Sequence, residues 1–325
     1  DMNAPTNQTN LQHPDVSREA IRAIVRGVYD LQKMRIETGN RLVAAFKSKL
    51  GIVPGQKEDA ADEEQVKLLN VIKMSFDSIT EGVLTIPTMK SFQKKLEKLK
   101  EPTLISSYAE LTLSAQYFQL LRDEQEQFKR LGDLVSEVPI WTHFLEGVRG
   151  VGPAMAGIII SEIDIHKAEY PSSLWAYAGL DVVQVTDENT GEIRGEGRSR
   201  RAAHLIDLEY IDKDGNLATR KSITYNPWLK TKLMGVLGTL FVKQPADKSP
   251  YRKIYDDYKF RLENHPKWAE RSKGHRHQAA IRYAVKRFLV DLYRVWRELE
   301  NLPVAPEYSE AKMGMVHGSA EKYAT

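Results

Sequence analysis

The sequence predicts a mainly α protein in two parts, a long helical arm followed by a domain of shorter helices with small β-hairpins. Three observations carry this. Apolar residues recur at helical spacing through three long segments before Pro139. Beyond it, glycines and short periodic runs replace those segments. Two turn signals there, Asn189-Thr190-Gly191 and Asp214-Gly215-Asn216, have alternating flanks.

Residues 1–14 are polar and are expected to be disordered. Asp15 and Ser17 are N-cap candidates for a first helix carrying Ile21, Ile24, Val25, Val28, Leu31, Leu42, Val43 and Phe46. Gly51, Pro54 and Gly55 end it. The charged stretch GQKEDAADEEQ is read as a loop entering the acidic first turn of the second helix, which carries Val66, Leu69, Ile72, Phe76, Ile79 and Val83. A third helix is expected to begin after Pro102 and to stop before Pro139. The arm thus covers 15–138, as a bundle or a coiled coil, and is the expected route to a homo-oligomer.

The second domain is placed at 139–300, with helices from Pro227, around Tyr251–Leu262 and from Gln278, and 301–325 is read as a tail. The 325 residues include no cysteine, which excludes disulfides and thiolate metal sites. No apolar run approaches the roughly 20 residues of a membrane span, and the opening DMNAPTNQTNLQHP lacks signal-peptide regions. The expectation is a cytoplasmic chain with no membrane partner.

In GVRGVGPAMAG, Gly150 and Gly152 flank Val151, and Pro153 suits the first position of a new helix. A helix opening on a glycine turn presents unpaired N–H groups to a phosphate. The pattern resembles the helix–hairpin–helix motif, which grips a nucleic-acid backbone without reading bases. The competing reading is a structural turn between two core helices.

Further elements follow in order: SSLWAYAGLDVV, NPWLKTKLMGVLG and KGHRHQAAIRYAVKRFLVDLYRVWRE. Together with the glycine turn they resemble the C-terminal domain of insertion-sequence transposases related to the Piv DNA invertase. Gly150–Pro153, Glu162, Ser173, Leu174, Tyr177–Leu180 and Asn226–Lys230 match that pattern over about residues 139–300. The resemblance implies DNA contact in recombination or transposition. That family also carries an N-terminal ribonuclease-H-like domain with four acidic metal ligands, whereas residues 1–138 resemble at most its helical arm. Its serine nucleophile stands in a Ser-Gly pair, for which this chain offers only Thr186, Thr190 and Ser199, none of them in Ser-Gly.

Basic residues cluster in three places, Arg198, Arg200 and Arg201, then Lys230 and Lys232, then the stretch from Arg271 to Arg287, which lacks acidic residues. With the turn, the DNA-contact set is Arg149, Gly150, Val151, Gly152, Ala154, Arg198, Arg200, Arg201, Lys230, Lys232, Arg271, Lys273, His275, Arg276 and His277. His275 and His277 are two apart, a poor metal pair on a helix, so no metal or other cofactor is expected. A divalent metal is called for only if the chain is catalytic. The leading expectation is a nucleoid-associated DNA-binding protein of recombination, transposition or mobile-element biology, with RNA an alternative ligand. The second is an active recombinase using Ser199 or Thr190, although the sequence shows no base beside Ser199 and the chain alone is not expected to cut DNA. The third is a helical scaffold whose hairpin is purely structural.

Overall fold

A computed structural model of the chain describes residues 17–52, 58–99, 101–187 and 190–307. The segment 1–14, Asp15, Pro54, Gly55, Asn189 and the tail beyond residue 307 lie outside the described residues. The described chain is mainly helical with two antiparallel two-stranded hairpins, the class that the sequence predicts. It divides into two compact units, one of Ala23–Arg130 and the other joining Leu131–Thr325 to the chain up to Arg22. The division runs through the first and fourth helices rather than between elements.

In the first unit, α1 (Arg18–Lys49), α2 (Glu58–Thr80), α3 (Met89–Lys98) and α4 (Tyr108–Ser136) follow in order. Ser17 caps α1 through its Oγ, 3.1 Å from the Ala20 amide. Gly51, at φ 68°, closes the other end. α2 starts inside the stretch read as a charged loop and stops before Val83, because Glu81 and Gly82 both take left-handed conformations. α3 is an additional helix. It buries only Phe92, too little apolar repetition to stand out in the sequence. All four helices share one core, built on Leu42, Phe46, Ile72, Phe76, Phe92, Leu111 and Phe118. Where α1 crosses α4, a Cβ on Gly39 would stand 2.9 Å from the Tyr117 ring. The buried Glu124 carboxylate accepts from Gln32 at 3.0 Å and pairs with Arg35.

The second unit is assembled around α12 (Lys273–Leu299). Before it come α5 (Pro139–His143), α6 (Pro153–Glu162), α7 (Pro171–Tyr177), α8 (Pro227–Thr231), α9 (Gly238–Lys243), α10 (Pro250–Glu263) and α11 (Pro266–Ala269). Each of these but α9 starts on proline, whose fixed φ suits a first turn. A π-helical stretch, Lys232–Leu237, makes α8 and α9 continuous. β1 (Val182–Thr186) pairs with β2 (Ile193–Gly197), and β3 (Ile206–Ile211) with β4 (Leu217–Ser222).

α12 buries Ala280, Ile281, Ala284, Val285, Phe288 and Leu289. A Cβ on Gly238 would fall 2.3 Å from Ile281, so only glycine lets α9 approach α12 this closely. Phe241, Tyr251 and Phe288 close the core with ring centroids 4.8–5.7 Å apart. Residues 302–307 are held against α12: Arg297 donates to the Pro303 carbonyl at 2.6 Å, and Glu307 pairs with the buried Arg287 at 2.6 Å. The chain assigned to a tail therefore starts as part of the core.

Two outcomes follow. Glu124→Ala strands Arg35 and Gln32 and is expected to cost about 3 kcal/mol in chemical denaturation. Asp291 accepts from Tyr251 Oη at 2.9 Å, and burial raises its pKa to about 6. A raised carboxylate holds its proton longer in the folded state, so stability should fall as pH rises from about 4 to about 6, by up to about 3 kcal/mol. Asp291→Asn should flatten that part of the stability–pH curve.

Candidate nucleic-acid interface

The glycine turn runs from a 3-10 turn at Leu145–Gly147 into α6. Its two glycines have different reasons to be there. Gly150 has φ 96°, and a Cβ on it would meet Leu240 at 3.2 Å, so the fold itself requires it. Gly152 has φ −96°, and a Cβ on it would meet nothing within 4 Å. The fold places no demand on glycine there. Gly152 and Arg149 are exposed, Val151 is buried, and Ala154 is half-buried at the start of α6, which is buried from Met155 to Glu162.

Glu162, Tyr177, Gly179 and Asn226, singled out in the sequence, lie in one knot. Asn226 caps α8 by accepting from the Leu229 amide at 3.0 Å. Its Nδ2 donates to Glu162 at 2.5 Å and to Tyr177 Oη at 3.2 Å. Glu162 is buried and faces Arg22 at 3.5 Å. Gly179, at φ 66°, accepts the Tyr225 ring where a Cβ would be 2.5 Å away. This knot fixes the start of α8, and Lys230 on α8 donates to the Arg198 carbonyl at 2.6 Å. Lys230 also stands 4.9 Å from the Tyr225 ring, and burial lowers its pKa.

Beyond Arg198 lies a cleft of about 870 Å³. Its walls are the β1–β2 hairpin, the loop through Ser199 and Arg201, α10, α11 and one stripe of α12. That stripe is His275, Ala279, Arg282 and Lys286, spaced as successive turns of one helix face. Arg201, Lys267, Arg271, Arg282 and Lys286 line the cleft against a single carboxylate, Glu196. Glu196 is itself engaged, by Arg201 at 2.7 Å and Arg194 at 3.0 Å. Arg282 and Lys286 are half-buried, and burial pushes both below their ordinary pKa values. Arg282 forms no ion pair among the described residues, and Lys286 rests on the Trp175 ring at 4.0 Å. Aromatic rings line the same space: Tyr258 and Tyr283 stack at 4.1 Å, and Trp268 lies 5.4 Å from His275.

The remaining expected contacts are scattered. Arg198 grips Asp181 with two bonds of 2.7 and 2.6 Å and also reaches Thr224. Arg276 donates to carbonyls of Trp268, Ala269 and Arg271, closing the end of α11. His277 Nδ1 lies 2.6 Å from Tyr255 Oη, and Lys232 stands over the Trp228 ring at 5.6 Å. Arg200 and Lys273 are exposed. Of the expected residues, the cleft gathers Ser199, Arg201, Arg271 and His275, and the glycine turn is not part of its lining. Arg282 and Lys286 were visible only as members of a basic run. Their seven- and eleven-residue offsets from His275 were the missed signal.

Ser199 has a base beside it, which corrects the sequence reading. Its Oγ lies 2.9 Å from His204 Nδ1, and its own amide donates to the same nitrogen at 3.0 Å. That donation fixes the neutral tautomer with the proton on Nε2, 3.4 Å from Glu196 Oε2. His204 follows Ser199 by five residues across a 3-10 turn, Ala202–His204, and is buried. Thr190 instead completes the β1–β2 turn, where its Oγ1 accepts from Glu192 at 3.3 Å.

The chain matches no protein-family model and no curated protein sequence. Among the described residues, no helix is long and apolar enough to cross a membrane.

The glycine contrast is testable. Gly150→Ala should destabilise the chain by about 1–3 kcal/mol. Gly152→Ala should leave thermal stability unchanged within about 0.5 kcal/mol, the range of unconstrained surface changes.

Proposed function

We propose that this chain is a DNA-binding protein of recombination, transposition or mobile-element biology, and that it engages phosphates chiefly through the cleft under the β1–β2 hairpin. The observation that carries the reading is the set of cations in that cleft, above all Arg282, half-buried without a carboxylate partner among the described residues. Partial burial of an unpaired charge is costly, and a polyanion offsets that cost. The order of matched elements from Gly150 to Lys230 supports the transposase-like reading, as does the convergence of Glu162, Tyr177 and Asn226. The glycine turn supplies a second phosphate contact through Gly152. Nucleoid association and self-association through the helical arm belong to the same proposal.

Fluorescence anisotropy with labelled DNA and RNA across a salt series tests it. Affinity should fall linearly with log salt, and Arg282→Ala should lower that slope by about 1 for any sequence. Gly152→Val should weaken binding to all sequences alike. A chain without salt-dependent binding is the helical scaffold instead.

The placement of His204 favours a second reading, an active recombinase. Ser199 Oγ would attack a phosphodiester phosphorus while His204 takes the hydroxyl proton. The serine–phosphorus bond forms as the phosphorus–sugar oxygen bond breaks, and the imidazolium returns the proton to the leaving sugar oxygen. Supercoiled and branched DNA with magnesium or manganese would then yield a covalent protein–DNA adduct that Ser199→Ala abolishes. Unchanged DNA under those conditions removes this reading and leaves the binding role.

A further inference from the structure

We infer that the cleft takes one or two unpaired nucleotides, a single-stranded end or an extruded base, rather than a stretch of duplex. The inference rests on the nucleic-acid reading above and specifies its ligand. Size is the first argument. At about 870 Å³ the cleft falls within the span of small-molecule sites, about 300–1,000 Å³. A nucleotide or two fits that space, and a double helix does not.

The lining is the second argument. A surface that only tracks duplex phosphates needs cations and no rings. Here the rings of Trp268, His275 and Tyr283 share the cleft with Arg271, Arg282 and Lys286. Aromatic faces beside a cationic track are what unpaired nucleic acid requires, since bases stack on the rings while phosphates meet the cations. Trp268 is half-buried, lines the cleft and lies 5.4 Å from the His275 ring. Its backbone carbonyl accepts from Arg276 Nη1 at 3.3 Å, which ties the end of α11 to α12.

Anisotropy measurements on the full chain decide the matter, with three labelled probes: an oligothymidylate of about five nucleotides, a blunt duplex of about 20 base pairs, and that duplex with a single-stranded overhang of about five. The single strand and the overhang duplex should bind at least about tenfold tighter than the blunt duplex. Trp268→Ala should weaken overhang binding roughly 5- to 150-fold, the equivalent of about 1–3 kcal/mol per stacked base. Blunt-duplex binding should fall by a smaller factor than overhang binding, and Trp268→Phe should restore most of the overhang loss. Arg282→Gln should reduce the salt slope for the overhang by about 1. Equal affinity for overhang and blunt duplex overturns the inference while leaving the DNA-binding role intact, as does full overhang binding by a folded Trp268→Ala variant. Failure of all three probes to bind overturns both. Should Trp268→Ala fail to fold, the wild-type preference and the Arg282→Gln slope still decide.

Discussion

Helix α12 has to satisfy two environments at once, and the rest of its unit is arranged around that demand. One face buries Ala280, Ile281, Ala284, Val285 and Phe288, and the neighbouring stripe lines the cleft with His275, Arg282 and Lys286. The apolar face can be covered only if a partner helix comes close, and Gly238 is where that happens. Its position sets the path of the helix that begins at Pro227, and so the place of Lys230. Lys230 in turn holds the Arg198 carbonyl and with it the loop that carries Ser199 and Arg201 over the cleft. A core packing constraint is thus transmitted, through one continuous helix and one hydrogen bond, to the rim of the site.

The cations of this unit fall into two electrostatic classes. Arg198, Arg276, Arg287 and Arg297 each place at least one donor on a carboxylate or backbone carbonyl, although buried nitrogens of Arg276 and Arg287 stay unpartnered among the described residues. Arg282 and Lys286 lack such partners among the described residues, yet both are half-buried and lose solvation. A fold under no functional demand has little reason to keep them, since a neutral side chain of similar size would cost less. The second class therefore carries the functional argument, whereas a simple count of basic residues would merge the two.

Much of the frame was legible because it depends on local physics. Helical periodicity marks α1, α4 and α12, Pro153 and Pro227 mark the starts of α6 and α8, and Asp214-Gly215-Asn216 marks the second hairpin. α3 was not legible, since its place depends on one phenylalanine meeting a core made by three other helices. The cleft was legible only in part. The basic run from Arg271 could be seen, but which of its members face a cavity depends on how α10, α11 and the β1–β2 hairpin fold back over α12. The glycine pair shows the same limit. Sequence spacing treats Gly150 and Gly152 as one motif, and only the neighbouring Leu240 separates the glycine that packing requires from the one that it does not.

The Ser199 loop shows how a structural contact and a chemical one compete for a single lone pair. His204 Nδ1 receives both the Ser199 amide, which shapes the loop, and the Ser199 hydroxyl, which a base would have to deprotonate. One imidazole lone pair does not serve two donors at full strength. As long as the amide holds it, the hydroxyl is weakly activated, and Ser199 Oγ also accepts from the Arg201 amide at 3.3 Å. The free chain is therefore arranged as a capped loop. Moving toward chemistry requires something that draws the hydroxyl to Nδ1 and stabilises the imidazolium that follows. Glu196, 3.4 Å from Nε2, is placed for the second task. Its charge is shared with Arg194 and Arg201. Arg201 lines the cleft and also pairs with Glu196, so one cation belongs both to the cleft and to the Ser199 loop.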